Sequence, residues 1–258
     1  MEIIQLDLID LLWCWGIILI AIGLTRWQNL GLEAQFTIAA FRSLVQLLFI
    51  GSLLDLIFAI NNPGAVFLIL IIMISIAARV TTNRISNNLK GLFAIVWFAL
   101  FISSSLTVGY SIVFIIQPTT WYNPQYLIPL VGMILGNILN GASLAGERLA
   151  KMITDNRLEV ETYLSLGATP LQAIAPYKQE AIKIGLIPTL NSMMVVGIVS
   201  LPGMFTGQVL GGNNPLDAAS YQILILFMIA LANILTTSLI TEGVYRKFFN
   251  QDAQLIIG

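Results

Sequence analysis

Long apolar runs alternate with short polar gaps along the whole chain. A helix needs about 20 predominantly apolar residues to cross the hydrocarbon core of a bilayer. Runs near that length cover residues 8–25, 36–59, 65–80, 91–116, 126–146, 186–211 and 220–242. They predict an all-α fold, a polytopic membrane protein with about seven spans. An odd number of spans places the two termini on opposite sides. The stretch 147–183 is too polar to be embedded and predicts two or three short helices at or below the membrane surface. Within it, Leu158, Val160, Leu164 and Leu166 stand among Arg157, Glu159 and Glu161. Gly167 suits a left-handed C-terminal cap. Thr169 suits an N-cap with Pro170 at the first helical position and Gln172 completing a capping box. This segment is either an interfacial amphipathic linker or a docking element.

The polar gaps differ in charge. The first holds Arg26, the third Arg79, Arg84 and Lys90, and the fifth Arg148, Lys151, Arg157, Lys178 and Lys183. The tail holds Arg246 and Lys247. The gaps around Asn61 to Gly64, Gln117 to Gln125 and Asn213 to Ser220 hold no basic residue. Arg42 lies a few residues into a run, on the basic side. Basic loops stay cytoplasmic. The N-terminus is therefore expected outside, with the C-terminus and 147–183 in the cytoplasm. Trp27, Trp121 and Tyr122 fall where interfacial aromatics belong.

Composition agrees. Charged residues are 10% of the chain, against about 25% in soluble domains. Mean hydropathy is +0.88, and residues 1–258 read as one transmembrane domain with no soluble module. A net charge of −1 gives no footprint for nucleic acid. The single cysteine, Cys14, excludes an internal disulfide and a multi-thiolate metal site. The absence of histidine removes the commonest ligand for zinc or copper and the usual general base. With no Gly-x-Ser-x-Gly elbow either, an intramembrane enzyme is disfavoured. The acidic start, Met1 to Asp7, makes the first run a retained span rather than a signal peptide.

Polar groups inside the runs need a reason, since a central charge costs about 2.5–3.5 kcal/mol on the insertion scale. Arg42 lies about 9 Å into its helix and can snorkel back to the surface. Gln46 shares its face one turn on. Asp55 is about 20 Å further along, too far to pair, and is expected near the outer mouth. Arg42 and Gln46 either line a substrate path or serve as anchor and helix glue. Gly132, Gly136, Asn140 and Ser143 share a face of the fifth run, suited to close helix contact. Asn137 and Asn140 also offer carbonyls to a hard cation. In the run 186–211, Pro202 is followed by Gly203, Gly207 and Gly211. Proline removes a backbone hydrogen bond, so a bent or broken helix with exposed carbonyls is expected. Met204 and Gln208 share a face there and are candidate substrate contacts. Met193, Met194 and Met204 together suggest a soft-metal relay, but methionine is more often core filling. Glu147 and Glu242 are either solvated helix ends or a cation-attracting mouth.

Two resemblances sharpen the picture. The stretch Glu161-Thr162-Tyr163-Leu164-Ser165-Leu166-Gly167 keeps the Glu-to-Gly spacing of the Glu-Ala-Ala-x-x-x-Gly motif of ATP-binding-cassette (ABC) permeases, with both alanines replaced. The run Ser200-Leu201-Pro202-Gly203-Met204-Phe205-Thr206-Gly207-Gln208-Val209-Leu210-Gly211-Gly212 resembles the hallmark of the FetB-type permease family. Arg42 to Leu47, Val131 to Asn137 and Leu164 to Thr169 agree with it. That family includes bacterial iron-export and plant aluminium-tolerance permeases. The resemblance implies the membrane subunit of an ABC exporter of metal ions such as iron, in a bacterial inner membrane. It also implies a homodimer and a separate cytoplasmic ABC ATPase that binds ATP and Mg²⁺, which fits the absence of a phosphate-cradling loop here. Glu159, Glu161, Leu166, Gly167, Ala168 and Thr169 would couple to that ATPase. The alternative is an autonomous secondary transporter or channel, against which stands the lack of a mid-span carboxylate.

Overall fold

The computed structural model describes residues 7–60, 62–86, 89, 91–250 and 252–256. The readings of Met1 to Leu6, Asn61 and Lys90 lie outside the described residues, as does the side chain of Asp55. The described chain is helical apart from turns and two isolated bridges. Its contacts divide it into two units, residues 1–61 with 210–212, and the rest.

The smaller unit holds α1 (Leu8–Trp27) and α2 (Glu33–Ile60). Asn29 and Gly31 take left-handed backbone between them, at φ 54° and 67°. That conformation reverses the chain and lets the two helices lie together.

The larger unit begins with α3 (Pro63–Ile85) and α4 (Leu92–Tyr110). A π-helical turn, Ser111–Ile116, extends α4 and ends at left-handed Gln117. Then come α5 (Pro124–Asp155), α6 (Arg157–Ser165), α7 (Pro170–Val195), α8 (Gly203–Leu210) and α9 (Pro215–Tyr245). Three of these helices start alike. Asn62, Asn123 and Asn214 each cap a helix whose first residue is proline, accepting from the backbone N–H two residues on. The amide satisfies an orphan donor and the proline fixes φ where its missing N–H costs nothing. All three starts fall in gaps without basic residues. Around Trp121, the loop before α5 stacks near Phe67 at the start of α3, with ring centroids 5.9 Å apart. At the opposite end, the end of α3 lies against α5 at Gly146, and Lys247 lies beside Gly91 at the start of α4. Aromatic and basic ends are thus segregated within this unit.

Among the described residues five helices are long and apolar enough to cross a membrane, α2, α3, α4 with its π turn, α5 and α9. The third run, the shortest in the sequence, becomes a 23-residue helix. α1 has a shorter apolar stretch, Trp13–Trp27. Two expectations are corrected. First, 147–183 is not a set of short helices. α5 continues to Asp155 and α7 starts at Pro170, so that α6 alone is short. At 1.5 Å per residue α5 is about 48 Å long, well beyond a core of about 30 Å. The helices persist because their buried stripe persists. Leu149, Ile153, Ile174 and Ala181 are fully buried while Arg148, Lys151 and Glu180 stay exposed. Second, 186–211 is not one span. α7 stops at Val195 and α8 starts at Gly203, so the helix is broken within this run, just before Pro202.

α5 is the centre of the larger unit, packed against α3, α7 and α9, with α4 against α9 and α3. A close backbone crossing joins α5, α7 and α9. A Cβ on Gly185 would meet the Gly141 carbonyl oxygen at 2.7 Å, and one on Gly141 would meet the Gly185 carbonyl oxygen at 2.6 Å. Asn233 of α9, wholly buried, donates through Nδ2 to the Gly185 carbonyl at 3.2 Å and to Thr189 Oγ1 at 2.7 Å.

Gly185→Ala is expected to destabilise the protein by about 1–3 kcal/mol, as overpacking does. Gly136→Ala, with open space around it, should be neutral or stabilising by up to about 1 kcal/mol. Thermal unfolding in detergent checks the opposite signs. Asn233→Ala should lose about 0.6–1.7 kcal/mol, the range for interhelical hydrogen bonds in membranes, read by the same melts.

Candidate functional site

The break after α7 is an ordered hook. Gly197 is left-handed at φ 81°. The N–H groups of Ile198, Val199 and Ser200 all converge on the Val195 carbonyl, and Gly197 N–H bonds Ser200 O at 2.9 Å. Pro202 ends the hook, since a residue before proline avoids helical backbone. α8 then starts back at Gly203, with Thr206 Oγ1 donating to Pro202 O.

The hook closes one side of a partly open cavity of about 280 Å³ in the larger unit. α5 contributes Met133, Asn137 and Asn140, spaced four and three residues apart on one helical face. α7 contributes Pro188, Thr189 and Ser192, and the hook and α8 contribute Pro202, Gly203 and Met204. α9 supplies Gln222 together with an apolar floor of Ile225, Leu226 and Ile229. Asn137 Nδ2 donates to the Met133 carbonyl at 2.8 Å, which leaves its oxygen free to accept. Asn140 Oδ1 accepts from Arg84 Nη1 at 3.0 Å. Gln222 is only 8% exposed, yet its Oε1 has no hydrogen-bond partner among the described residues. A second recess shares Asn140 and Pro188 with the cavity and adds Arg84, Ser143 and Glu147. Among the described residues no group of three or more His, Cys, Asp or Glu side chains is placed to hold a metal ion.

The sequence candidates separate. Asn137, Asn140 and Met204 line the cavity together. Gln208 sits one turn on along α8 and is not among the lining residues. Arg42 and Gln46 are exposed on α2, in the smaller unit. Met193 and Met194 do not line the cavity, and Met194 is exposed. Sequence reasoning passed over Arg84, Thr189, Ser192, Gln222 and Asn233. Gln222 and Asn233 carried a usable signal, since an amide within an apolar run is costly unless it has a task. Arg84 and the α7 hydroxyls carried none, because only the packing of α3, α5 and α7 brings them to this face.

The polar elbow between α5 and α7 is built as its residues suggest. Ala168 N–H bonds the Tyr163 carbonyl and Gly167 N–H the Leu164 carbonyl, both at 3.0 Å. With Gly167 at φ 90° this is a complete Schellman cap. Two residues later Thr169 N–H bonds Gln172 Oε1 at 2.8 Å, and Gln172 N–H returns to Thr169 Oγ1 at 3.3 Å, the reciprocal capping box. A C-cap and an N-cap back to back fix the angle between α6 and α7. Glu161 pairs with Arg157 at 2.7 Å. Leu158 and Leu166 point outward, 80% and 79% exposed.

Ion pairs tie the elbow's supports together. Arg148 of α5 meets Glu180 of α7 at 3.1 Å. Glu242 of α9 is shared by Lys178 of α7 and Arg246. Glu242 is therefore paired, whereas Glu147 lines the second recess. On α7, Tyr177 has a buried hydroxyl that makes no hydrogen bond of normal geometry among the described residues. Burial first, and the nearby Glu159 carboxylate second, push its phenol up to about 12. The elbow thus holds a neutral tyrosine below that pH.

Residues 8–249 match the family described as "Uncharacterised protein family (UPF0014)". A UPF0014 membrane protein of Synechocystis sp. is 53% identical over 99% of this chain and 98% of its own length. Protein ALUMINUM SENSITIVE 3 of Arabidopsis thaliana is 33% identical over 93% of this chain and 86% of its own. The probable iron export permease protein FetB of Escherichia coli is 30% identical over 93% of this chain and 92% of its own. No solved structure matches the chain. With five long apolar helices and full-length membrane-protein relatives, this chain is a multi-pass integral membrane protein and belongs to the UPF0014 family.

Proposed function

We propose that this chain is the permease subunit of an ABC exporter, moving metal ions such as iron and driven by a separate cytoplasmic ATPase. The observation that carries this reading is the elbow. α6 and its C-terminal cap present Leu158 and Leu166 outside the apolar helices, on a segment fixed by two adjacent caps. Exposed leucines on a rigid polar-side knob suit burial against a partner. The two helices that support the knob also supply Asn137, Asn140, Thr189 and Ser192 to the cavity. A displacement of the knob therefore reaches the cavity through two continuous helices, α5 and α7, the latter with Pro176 and Pro188 inside it.

Glu159, Glu161, Leu166, Gly167, Ala168 and Thr169 form the coupling surface in this reading. The basic end faces the cytoplasm by the positive-inside rule, which puts the knob within reach of a cytosolic motor. ATP and Mg²⁺ belong to the ATPase. Two copies of the permease, each with one knob, serve two ATPase subunits. The similarity to the probable iron export permease protein FetB of Escherichia coli supports iron as the first substrate to test.

Leu158→Glu combined with Leu166→Glu should reduce co-purification of the ATPase roughly tenfold or more, as loss of a central anchor does. Gly167→Val, forced into a left-handed backbone at about 1–2 kcal/mol, should leave insertion intact and uncouple ATP hydrolysis from efflux. Membrane fractionation, pull-down and metal efflux from proteoliposomes read the three effects. Unchanged pull-down and efflux in both variants reject the coupling role. Efflux by the purified chain with no ATPase present establishes an autonomous transporter instead.

A further inference from the structure

We infer that the cavity holds its cation with the hydration shell intact, through neutral hydrogen-bond acceptors, and never as a bare ion. The inference rests on the metal-ion reading above and specifies the form of the cargo. Its first support is the chemistry of the lining. The polar groups facing the cavity are amides and hydroxyls, with no carboxylate among them. Stripping a divalent cation of water needs strong anionic ligands in return, because a small hard cation dehydrates reluctantly and an unpaired buried charge is costly. Methionine sulfur at Met204 does not supply that for a hard ion.

The second support is Gln222. Its side-chain carbonyl is buried and has no partner among the described residues, although it lines the cavity. A buried acceptor left without a donor needs an explanation. Asn137, whose nitrogen is occupied by the Met133 carbonyl, adds a second free acceptor. Ser192 Oγ adds a third from α7. A hydrated cation shows the outside world only O–H donors, each strengthened by the metal charge. Acceptors on three different helices are the complement of that surface.

The third support is size. Six water molecules occupy roughly 180 Å³ at about 30 Å³ each. A cavity of about 280 Å³ has room for a hexahydrated ion. Arg84, which donates to Asn140 at the edge of the cavity, and Glu147 line the adjoining recess.

The experiment uses the full-length chain in lipid nanodiscs with Mn²⁺ and with hexaamminecobalt(III), whose six ammonia ligands do not exchange and present only N–H donors. Both should bind and compete. Magnetic resonance with oxygen-17 water should find bound Mn²⁺ with all its water ligands. Gln222→Met should weaken both ions by roughly tenfold, the scale of a lost charge-assisted hydrogen bond. Gln222→Glu provides a second variant, which should bind Mn²⁺ more tightly and remove waters from it. Loss of waters from Mn²⁺ in the unsubstituted protein, failure of hexaamminecobalt(III) to compete, or wild-type affinity in both variants overturns the inference. Parallel ATP-driven Mn²⁺ efflux from proteoliposomes keeps the two readings apart. Normal efflux alongside any of those outcomes leaves the permease standing without a hydrated-ion site. Absence of ATP-driven efflux of Mn²⁺ and of ferrous iron removes the metal-exporter reading itself.

Discussion

The larger unit turns on one close approach, where α5, α7 and α9 meet at Gly141, Gly185 and Asn233. The two glycines bring carbonyl oxygens within a distance that no Cβ could share. The gap they leave is filled by the Asn233 amide, which ties α9 to the backbone and side chain of α7. Lipid tails are as apolar as leucine, so helix association in a membrane depends on such close packing and on interhelical hydrogen bonds rather than on hydrophobic burial. The rest of the unit follows from it. With three helices pinned at one level, their ends above and below are set, and both the cavity and the elbow are built on those ends.

Above the crossing, the three helices diverge and the cavity opens between them. Thr189, which accepts from Asn233, is also part of the lining. The tie and the cavity therefore share a side chain. The hook at Val196 to Pro202 turns the chain back over this space, and its carbonyl at Val195 absorbs three backbone N–H groups. Irregular backbone at membrane depth is tolerated where protein or a cavity satisfies it, and this hook satisfies most of its donors internally.

Below the crossing, α5 and α7 continue as helices to the elbow. Exposed ion pairs contribute little each, about 0–1 kcal/mol. The exposed pair Arg148–Glu180 and the half-buried pair Lys178–Glu242 nonetheless link α7 to α5 and to α9 at that end. A joint with a Schellman cap on one side and a capping box on the other has little freedom to absorb movement. Under the proposed function this stiffness is the point, since a force applied at Leu158 and Leu166 is carried past the crossing to the cavity walls.

Much of this was legible in the residues alone. Apolar run length gave the membrane class, and the segregation of basic residues separated the two ends. Local chemistry gave the elbow, because a cap is decided by a few adjacent residues, Gly167 at C′ and Thr169 with Pro170 and Gln172 at the next start. The broken passage before Pro202 was equally local, with left-handed Gly197 as well as the proline setting where α7 stops. Tertiary structure decided the rest. Sequence periodicity says which face of a helix is buried but not what it meets. The pairing of Gly141 with Gly185, the task of Asn233, the bond from Arg84 to Asn140 and the orphaned carbonyl of Gln222 join residues 44 to 56 positions apart or belong to a wall made by four segments. Those relations exist only once the helices have crossed, because close packing between distant segments leaves no mark on the order of residues within either one.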